Sequence, residues 1–294
     1  MDRKLVCPQC KKTLIFKDNV YICRQCNTEY PVKNDIACFV EKDKNQTGFT
    51  LKMFENLLKI EKKHFWHIGR KEIIYQLLKL HNPKDSKQTK MIEFGCGNGS
   101  ILQYLFQNGF QIEGSDISLS CLQFFQKRNK KISLYQSDAL NTPFHDETYH
   151  VIGLFDVLEH IENDTLALKE SFRICKKNGL IIITVPAHKY LWSYFDEFSQ
   201  HKRRYSKKEL NLKLKKAGFE IEKISFYIFF LLPIFFLKRK LFKSQSLKIN
   251  QLSELKTIPI INGIFLFLLR IEKILLKYFN LPFGTSLICI AKKR

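Results

Sequence analysis

Between residues 90 and 227, short apolar runs alternate with stretches whose apolar positions recur every three or four residues. The runs at 90–94, 111–116, 132–136, 149–155 and 180–185 predict strands, and the stretches between them predict helices. Strands alternating with helices predict an α/β fold, a parallel sheet covered by helices. Ile181-Ile182-Ile183-Thr184-Val185 is almost unbroken in apolar character, as a strand buried on both faces requires. Ser206-Lys207-Lys208-Glu209 has the form of a capping box, and Gly218 stops the helix it opens. Two more strands are predicted at 219–227 and 286–291, and two helices near 51–60 and 68–80. Residues 42–50 read as a polar linker and 84–89 as a loop.

Between the last two strands the pattern changes. Residues 226–237 are almost wholly apolar and are followed by Lys238, Arg239, Lys240 and Lys243. A second apolar segment covers 258–269 and continues amphipathically to Phe279. Neither reaches the ~20 apolar residues that a straight membrane-spanning helix needs. Apolar and aromatic residues beside a basic cluster suit an interfacial helix on anionic lipid. The alternative is a helical insertion packed on the core or on a second subunit.

The formal charge of +21 sharpens that choice, because it favours anionic partners. Of the 49 basic residues only 10 are Arg, whereas readers of nucleic-acid sequence favour Arg forks. Nucleic acid is therefore the weaker partner expectation beside a lipid surface. No signal peptide is visible, so a cytoplasmic protein is expected, placed at the inner face of the membrane if the apolar segments touch lipid.

The cysteines add a second unit. Cys7-Pro8-Gln9-Cys10 and Cys23-Arg24-Gln25-Cys26 stand 12 residues apart, a spacing that lets four thiolates surround a zinc ion. A segment of ~40 residues is too small to be stable by core burial alone, and a structural zinc would supply the difference. We expect a zinc ribbon over 1–41, with Cys7, Cys10, Cys23 and Cys26 as ligands.

The candidate chemistry begins at Glu93-Phe94-Gly95-Cys96-Gly97-Asn98-Gly99, where a strand passes through a tight turn into a helix. Glycine permits positive φ and lets a ligand approach the backbone. The acidic Glu93 ahead of the turn would repel a phosphate and suits a cationic ligand. Asp116 ends the next strand, where a carboxylate can bind ribose hydroxyls. Asp138 follows the strand after that, where a carboxylate can accept from an adenine amine. Phe155-Asp156-Val157-Leu158-Glu159-His160 follows the fourth.

In that order these motifs resemble the class I S-adenosylmethionine-dependent methyltransferases, in the broad group that includes the ubiquinone-biosynthesis O-methyltransferases. The resemblance covers roughly 64–225 and the last ten residues. It implies a Rossmann-like, seven-stranded, mostly parallel sheet with an antiparallel last strand, and S-adenosyl-L-methionine as cofactor. It implies cofactor contacts from Glu93, Gly95, Cys96, Gly97, Asp116, Ile117, Asp138, Ala139 and Phe155. The expected divisions are the ribbon at 1–41, linker and N-terminal helices at 42–90, methyltransferase core at 91–225, hydrophobic insertion at 226–284 and a final core strand at 285–294.

His160 is the candidate base, since its ordinary pKa lies near neutrality. Glu159 beside it could hold a metal or orient the ring. The segment 188–206 is dense in His, Arg and aromatic residues, and His188, His201, Arg203, Arg204 and Tyr205 are expected to contact the acceptor. Surface pairing of the arginines with Asp196 and Glu197 is the competing account. His64-Phe65-Trp66-His67-Ile68-Gly69-Arg70 resembles segments that close over the cofactor in this group. The reading is an O-methyltransferase for a small or lipid-linked acceptor. RNA methylation aided by the ribbon is one alternative, and a non-catalytic binding protein of the same fold is another.

Overall fold

The computed structural model describes residues 5–40, 51–82, 85–234 and 258–294. The N-terminal hairpins are β1 (Ile15–Lys17), β2 (Val20–Cys23), β3 (Thr28–Lys33) and β4 (Ile36–Cys38). Helices α1 (Leu51–Lys63) and α2 (Phe65–His81) lead into the core: β5 (Lys90–Phe94), α3 (Ser100–Gln107), β6 (Gln111–Asp116), α4 (Leu119–Gln126), β7 (Leu134–Gln136) and β8 (Tyr149–Phe155). There follow α5 (Asp164–Ile174), β9 (Cys175–Pro186), α6 (Tyr194–Phe198), α7 (Lys207–Ala217), β10 (Glu220–Tyr227), α8 (Pro259–Tyr278) and β11 (Ser286–Lys292).

The core sheet runs β7-β6-β5-β8-β9-β11-β10. Its first five strands are parallel, and β11 lies antiparallel between β9 and β10. The chain leaves β5 toward β6 and β7, then returns to β8 on the other side. The crevice at the carboxyl ends of β5 and β8 is thus a topological switch point, where ligands bind in such sheets. Local signals behave as expected at α7: the Ser206 side chain accepts from Glu209 N at 3.1 Å, and Gly218 ends the helix at φ 103°. β9 begins earlier than the apolar run. Tyr149 pairs with Cys175 and Val151 with Leu180, so an irregularity absorbs the polar residues 176–179.

The ribbon is not a separate appendage. β4 pairs in parallel with β7, extending the core sheet into one of eleven strands. Leu5, Leu14, Tyr21, Tyr30 and Phe39 share one buried cluster with Tyr135, Phe144 and Tyr149 of the core. The physical reason lies in β7, which would otherwise present an unpaired sheet edge. Lys11 Nζ fastens the contact from the side, reaching Glu170 Oε1 at 3.2 Å and the Thr142 carbonyl at 3.3 Å.

The apolar segment splits between two roles. Phe226 and Tyr227 finish β10, paired with β11. Residues 235–257, which include Lys238, Arg239, Lys240 and Lys243, lie outside the described residues. The inner face of α8 packs on α2 so closely that a side chain at Gly69 would meet Leu269 at 2.6 Å. Asn262 accepts from Phe65 N at 2.8 Å and donates to the Lys63 carbonyl at 2.9 Å. Arg270 and Lys273 both pair with Glu72, and buried Glu272 accepts from Phe230 N at 2.9 Å. The outer face is different: Ile260 (76% exposed), Ile264, Phe267, Ile274 and Tyr278 form an apolar stripe in solvent. No described helix is long and apolar enough to cross a membrane.

Candidate active site

The glycine turn forms the floor of the switch-point crevice. Gly95 has φ 62°, and a Cβ there would lie 2.4 Å from Val157, so the turn demands glycine. Asp116 braces the turn from the neighbouring strand: its carboxylate accepts from Gly97 N and from Ser118 N, each at 2.8 Å. Gln136 Nε2 donates to the Ile117 carbonyl at 3.1 Å and joins the ends of β6 and β7. Asp138 accepts from Leu140 N at 2.9 Å.

Over the turn lies a cavity of about 360 Å³, lined by Glu93, Gly95, Cys96, Gly97, Phe155 and Asp156 from the strand ends and by Asn98 and Ser100 at the start of α3. Its roof comes from Glu61 of α1 and Trp66, His67, Arg70 and Lys71 of α2. Five of the nine expected cofactor residues therefore face one space: Glu93, Gly95, Cys96, Gly97 and Phe155. Asp116, Ile117, Asp138 and Ala139 do not line it; they sit at the adjoining ends of β6 and β7. Glu61 and Lys71 carried no signal in the sequence, being ordinary charged positions of lysine-rich helices. The 64–70 segment did carry one, and Trp66, His67 and Arg70 of it reach the cavity.

The charges here are incompletely satisfied. Glu93 is buried, and its Oε2 has no hydrogen-bond partner among the described residues. Burial pushes its carboxyl up to about 8, with Arg70 opposing. Glu61 also has an unpartnered Oε2, and burial raises its pKa. Burial holds His67 neutral, well below the usual imidazole range. Arg70 is stacked over Trp66 at 4.6 Å and forms an ion pair with Asp156. Asp156 itself has φ 56° and is held by Arg70, by Thr184 Oγ1 at 2.9 Å and by its own amide on the Thr184 carbonyl at 2.9 Å. A left-handed backbone held this firmly is the kind of local strain that sites retain. A zwitterionic adenosyl sulfonium fits this donor set. The orphaned Glu93 oxygen can accept from an ammonium, and the side-chain-free Gly97, with nothing within 4 Å of where its Cβ would lie, leaves room beside the backbone.

The 188–206 segment departs from expectation. Arg204, expected to bind the acceptor, is buried: Nε and Nη2 grip Asp196 at 2.7 and 2.9 Å, and Nη1 donates to the Ala187 carbonyl at 3.1 Å. Tyr205 is also buried, its hydroxyl donating to Asp164 Oδ2 at 2.7 Å. Arg203 faces Asp164 at 3.3 Å and donates to the Glu162 carbonyl at 2.8 Å. Arg203 and Tyr205 tie the loop to α5 through Asp164, and Arg204 ties it to α6 through Asp196. The pairing account was right about Asp196, although the pair lies inside the protein and not on its surface. His188, at φ 62°, stacks on Phe226 at 4.8 Å, with Nε2 buried and unpartnered. His201 Nδ1 lies 2.9 Å from Asp196 Oδ1. Its ring meets that of His160 edge-on at 4.8 Å. Partial burial and His201 hold His160 down to about 4, so its imidazole is neutral near pH 7.

The ribbon brings Cys7, Cys10, Cys23 and Cys26 into one cluster of metal-ligating geometry. Cys10 and Cys23 sulfurs lie 3.5 Å apart, and Tyr30 Oη is 3.3 Å from Cys7 Sγ. Burial would raise the Cys7 thiol, yet Tyr30 and nearby backbone amides bring it down to about 7. Crowded sulfurs with a thiol poised to ionise suit a tetrahedral dication.

A parallel sheet with a glycine turn at its switch point, an acidic residue at or near the end of each of the first three core strands and a cleft made for a cationic adenosyl compound defines a class I S-adenosylmethionine-dependent methyltransferase. Residues 65–224, more than half the chain, match the family model described as a methyltransferase domain, and the chain belongs to that family. An uncharacterized protein of Methanocaldococcus jannaschii is 32% identical over 170 residues, covering 54% of this chain and 78% of its own. The ubiquinone biosynthesis O-methyltransferase of Rickettsia typhi is 29% identical over 119 residues, 39% of this chain and 48% of that enzyme. The chain spans about half the length of several of the curated relatives it matches. Among solved structures, Haemonchus contortus phosphoethanolamine N-methyltransferase 2 in complex with S-adenosyl-L-methionine aligns with a TM-score of 0.58 at 18% identity, over 86% of this chain and 60% of that one. At that identity the likeness is one of fold.

Proposed function

We propose that this methyltransferase transfers its methyl group to an oxygen of a hydrophobic, lipid-linked acceptor, in peripheral contact with an anionic lipid surface. The observation that carries this reading is the apolar stripe of α8. It is displayed on a helix packed against α2, and α2 supplies Trp66, His67 and Arg70 to the cleft. A cavity of about 560 Å³ at the α2–α8 junction is edged by Lys79, Arg270, Lys273 and Lys277 together with Glu72, which pairs with Arg270 and Lys273, so the lining is basic on balance and suits anionic headgroups. The relative named for ubiquinone biosynthesis supports both the acceptor class and the oxygen.

The cofactor, when bound, supplies a methyl on a sulfonium already activated for displacement. Glu93 would hold it from inside the cleft, Asp116 would act from the adjoining strand end where it braces the glycine turn, and Trp66 with the Arg70–Asp156 pair would shield the cleft from water. A hydroxyl acceptor must lose its proton as it attacks. We take His160, neutral near pH 7 and four residues beyond Asp156, as the group that accepts that proton. The cysteine cluster holds a structural zinc ion. The ribbon turns its apolar face to the core sheet, which supports a folding role over one in RNA binding.

The test supplies methyl-labelled S-adenosylmethionine with short-chain prenylated phenols in vesicles containing phosphatidylglycerol. Label in an ether-linked methyl, with the protein floating with those vesicles, is the expected result. Label confined to amines, or unchanged partitioning after Ile260, Ile264 and Phe267 are replaced by Ser, would overturn the reading.

A further inference from the structure

Glu159 is fully buried, and neither of its side-chain oxygens has a hydrogen-bond partner among the described residues. A buried carboxylate in that state is costly unless something meets it. His160 and His201 stand beside it, and one ligating atom from each of the three lies within 4.8 Å of the others. One of the imidazoles is already braced from behind. His201 donates its Nδ1 proton to Asp196, since a carboxylate can only accept, and Asp196 is fixed in turn by Arg204. His160 has the backbone of Ser199 and Gln200 beside its ring. The His201 ring therefore keeps Nε2 as a lone-pair donor. An imidazole backed by a carboxylate or a carbonyl is the standard support for a metal ligand.

We propose that Glu159, His160 and His201 bind a divalent transition-metal ion. Bonds of about 2.0–2.2 Å place ligand atoms roughly 3–4 Å apart, which small side-chain rotations achieve from the observed spacing. Two imidazoles with one carboxylate favour zinc, manganese or ferrous iron over magnesium, which prefers oxygen and water. Three protein ligands leave coordination positions open. Asp156 stays outside the set, held by Arg70 and Thr184. The site neighbours Asp156, which lines the cleft, so its role, though not its existence, rests on the reading above. With an ion present, His160 ligates rather than takes the proton, and an acceptor oxygen on an open position loses its proton to water more readily.

Cobalt(II) separates this site from the cysteine cluster. The full-length protein, its cluster filled with zinc, is titrated with cobalt at neutral pH. One equivalent giving weak visible bands without the intense near-ultraviolet thiolate transition, and displaced by zinc, is the expected result. Glu159→Gln and His201→Ala should weaken that binding about tenfold or more, with the melting shift caused by S-adenosylhomocysteine retained as proof of folding. His160→Ala, at an exposed position, gives the same readout should Glu159→Gln fail to fold. Cobalt uptake identical in wild type and variants, or a cobalt spectrum of the thiolate kind alone, would overturn the proposal. Cobalt bound as described with no transfer to any phenol would overturn the acceptor reading and leave the metal site standing.

Discussion

The cleft over the glycine turn and the 188–206 loop are built from the same kinds of residue, yet they stand in opposite states. In the cleft, Glu93 and Glu61 are buried with oxygens that bond to nothing described. In the loop, Arg204 has Asp196 and a carbonyl, Tyr205 has Asp164, and Arg203 has Asp164 and a second carbonyl. Charge density alone does not mark a site. A site is where the fold leaves charges for a ligand to complete, and the arginines and tyrosine of the loop complete their own.

Substitutions can break this contrast. The largest effect is expected from Arg204→Ala, which leaves Asp196 charged and buried. Chemical denaturation should show a loss of about 3–5 kcal/mol, and the folded fraction should bind S-adenosylhomocysteine as before. A stable variant with weakened binding would place Arg204 back in the site. Glu93→Gln should do the reverse, lowering calorimetric affinity for S-adenosylhomocysteine by about ten- to a hundredfold, in line with the ~1.5–3 kcal/mol of a charged hydrogen bond. Its melting temperature should not fall.

The same residue gives a pH signature. Its carboxyl is raised to about 8 in the folded protein, so its contribution to stability is complete below the ordinary carboxylate value near 4.5 and is lost as pH rises through 8. The unliganded wild type should therefore lose melting temperature between pH 5 and 8 relative to Glu93→Gln. Binding a cation there should release a proton, visible as buffer-dependent heat. A smaller effect is expected from Tyr205→Phe, about 1 kcal/mol of stability with no change in turnover. Smallest is Lys11→Ala, about 0–1 kcal/mol for a partly exposed pair, read in the same denaturation curves.

Much of the core was legible because period and punctuation agree: five parallel strands, the Ser206 cap, the Gly218 stop and the three-glycine turn all fall where the pattern puts them. The seven-strand order came with the resemblance. Asp116 was legible as an acidic strand end but not as the brace of the glycine turn, since that depends on the register of β5 with β6. The loop misled because burial is not written in a polar sequence. His-x-Arg-Arg-Tyr looks the same whether it faces solvent or closes over Asp164 and Asp196. Glu61 was invisible because α1 reaches the cleft by packing near α4 and α2, not by any local motif. The joining of β4 to β7 was invisible too, being a contact between distant segments with no pattern of its own.

That join has a consequence in time. Lys11 and Thr142 are bonded across 131 residues of chain, so the ribbon leaves the ribosome long before the strand it covers exists. At ~5–20 residues per second, the gap is on the order of ten seconds. During that interval the newborn ribbon stands without the core it packs on, and if its thiols hold the proposed zinc, metal capture comes before sheet assembly. A cell short of zinc would then accumulate chains whose β7 edge emerges with no strand ready to meet it. The first symptom would be aggregation during synthesis, ahead of any loss in the finished enzyme.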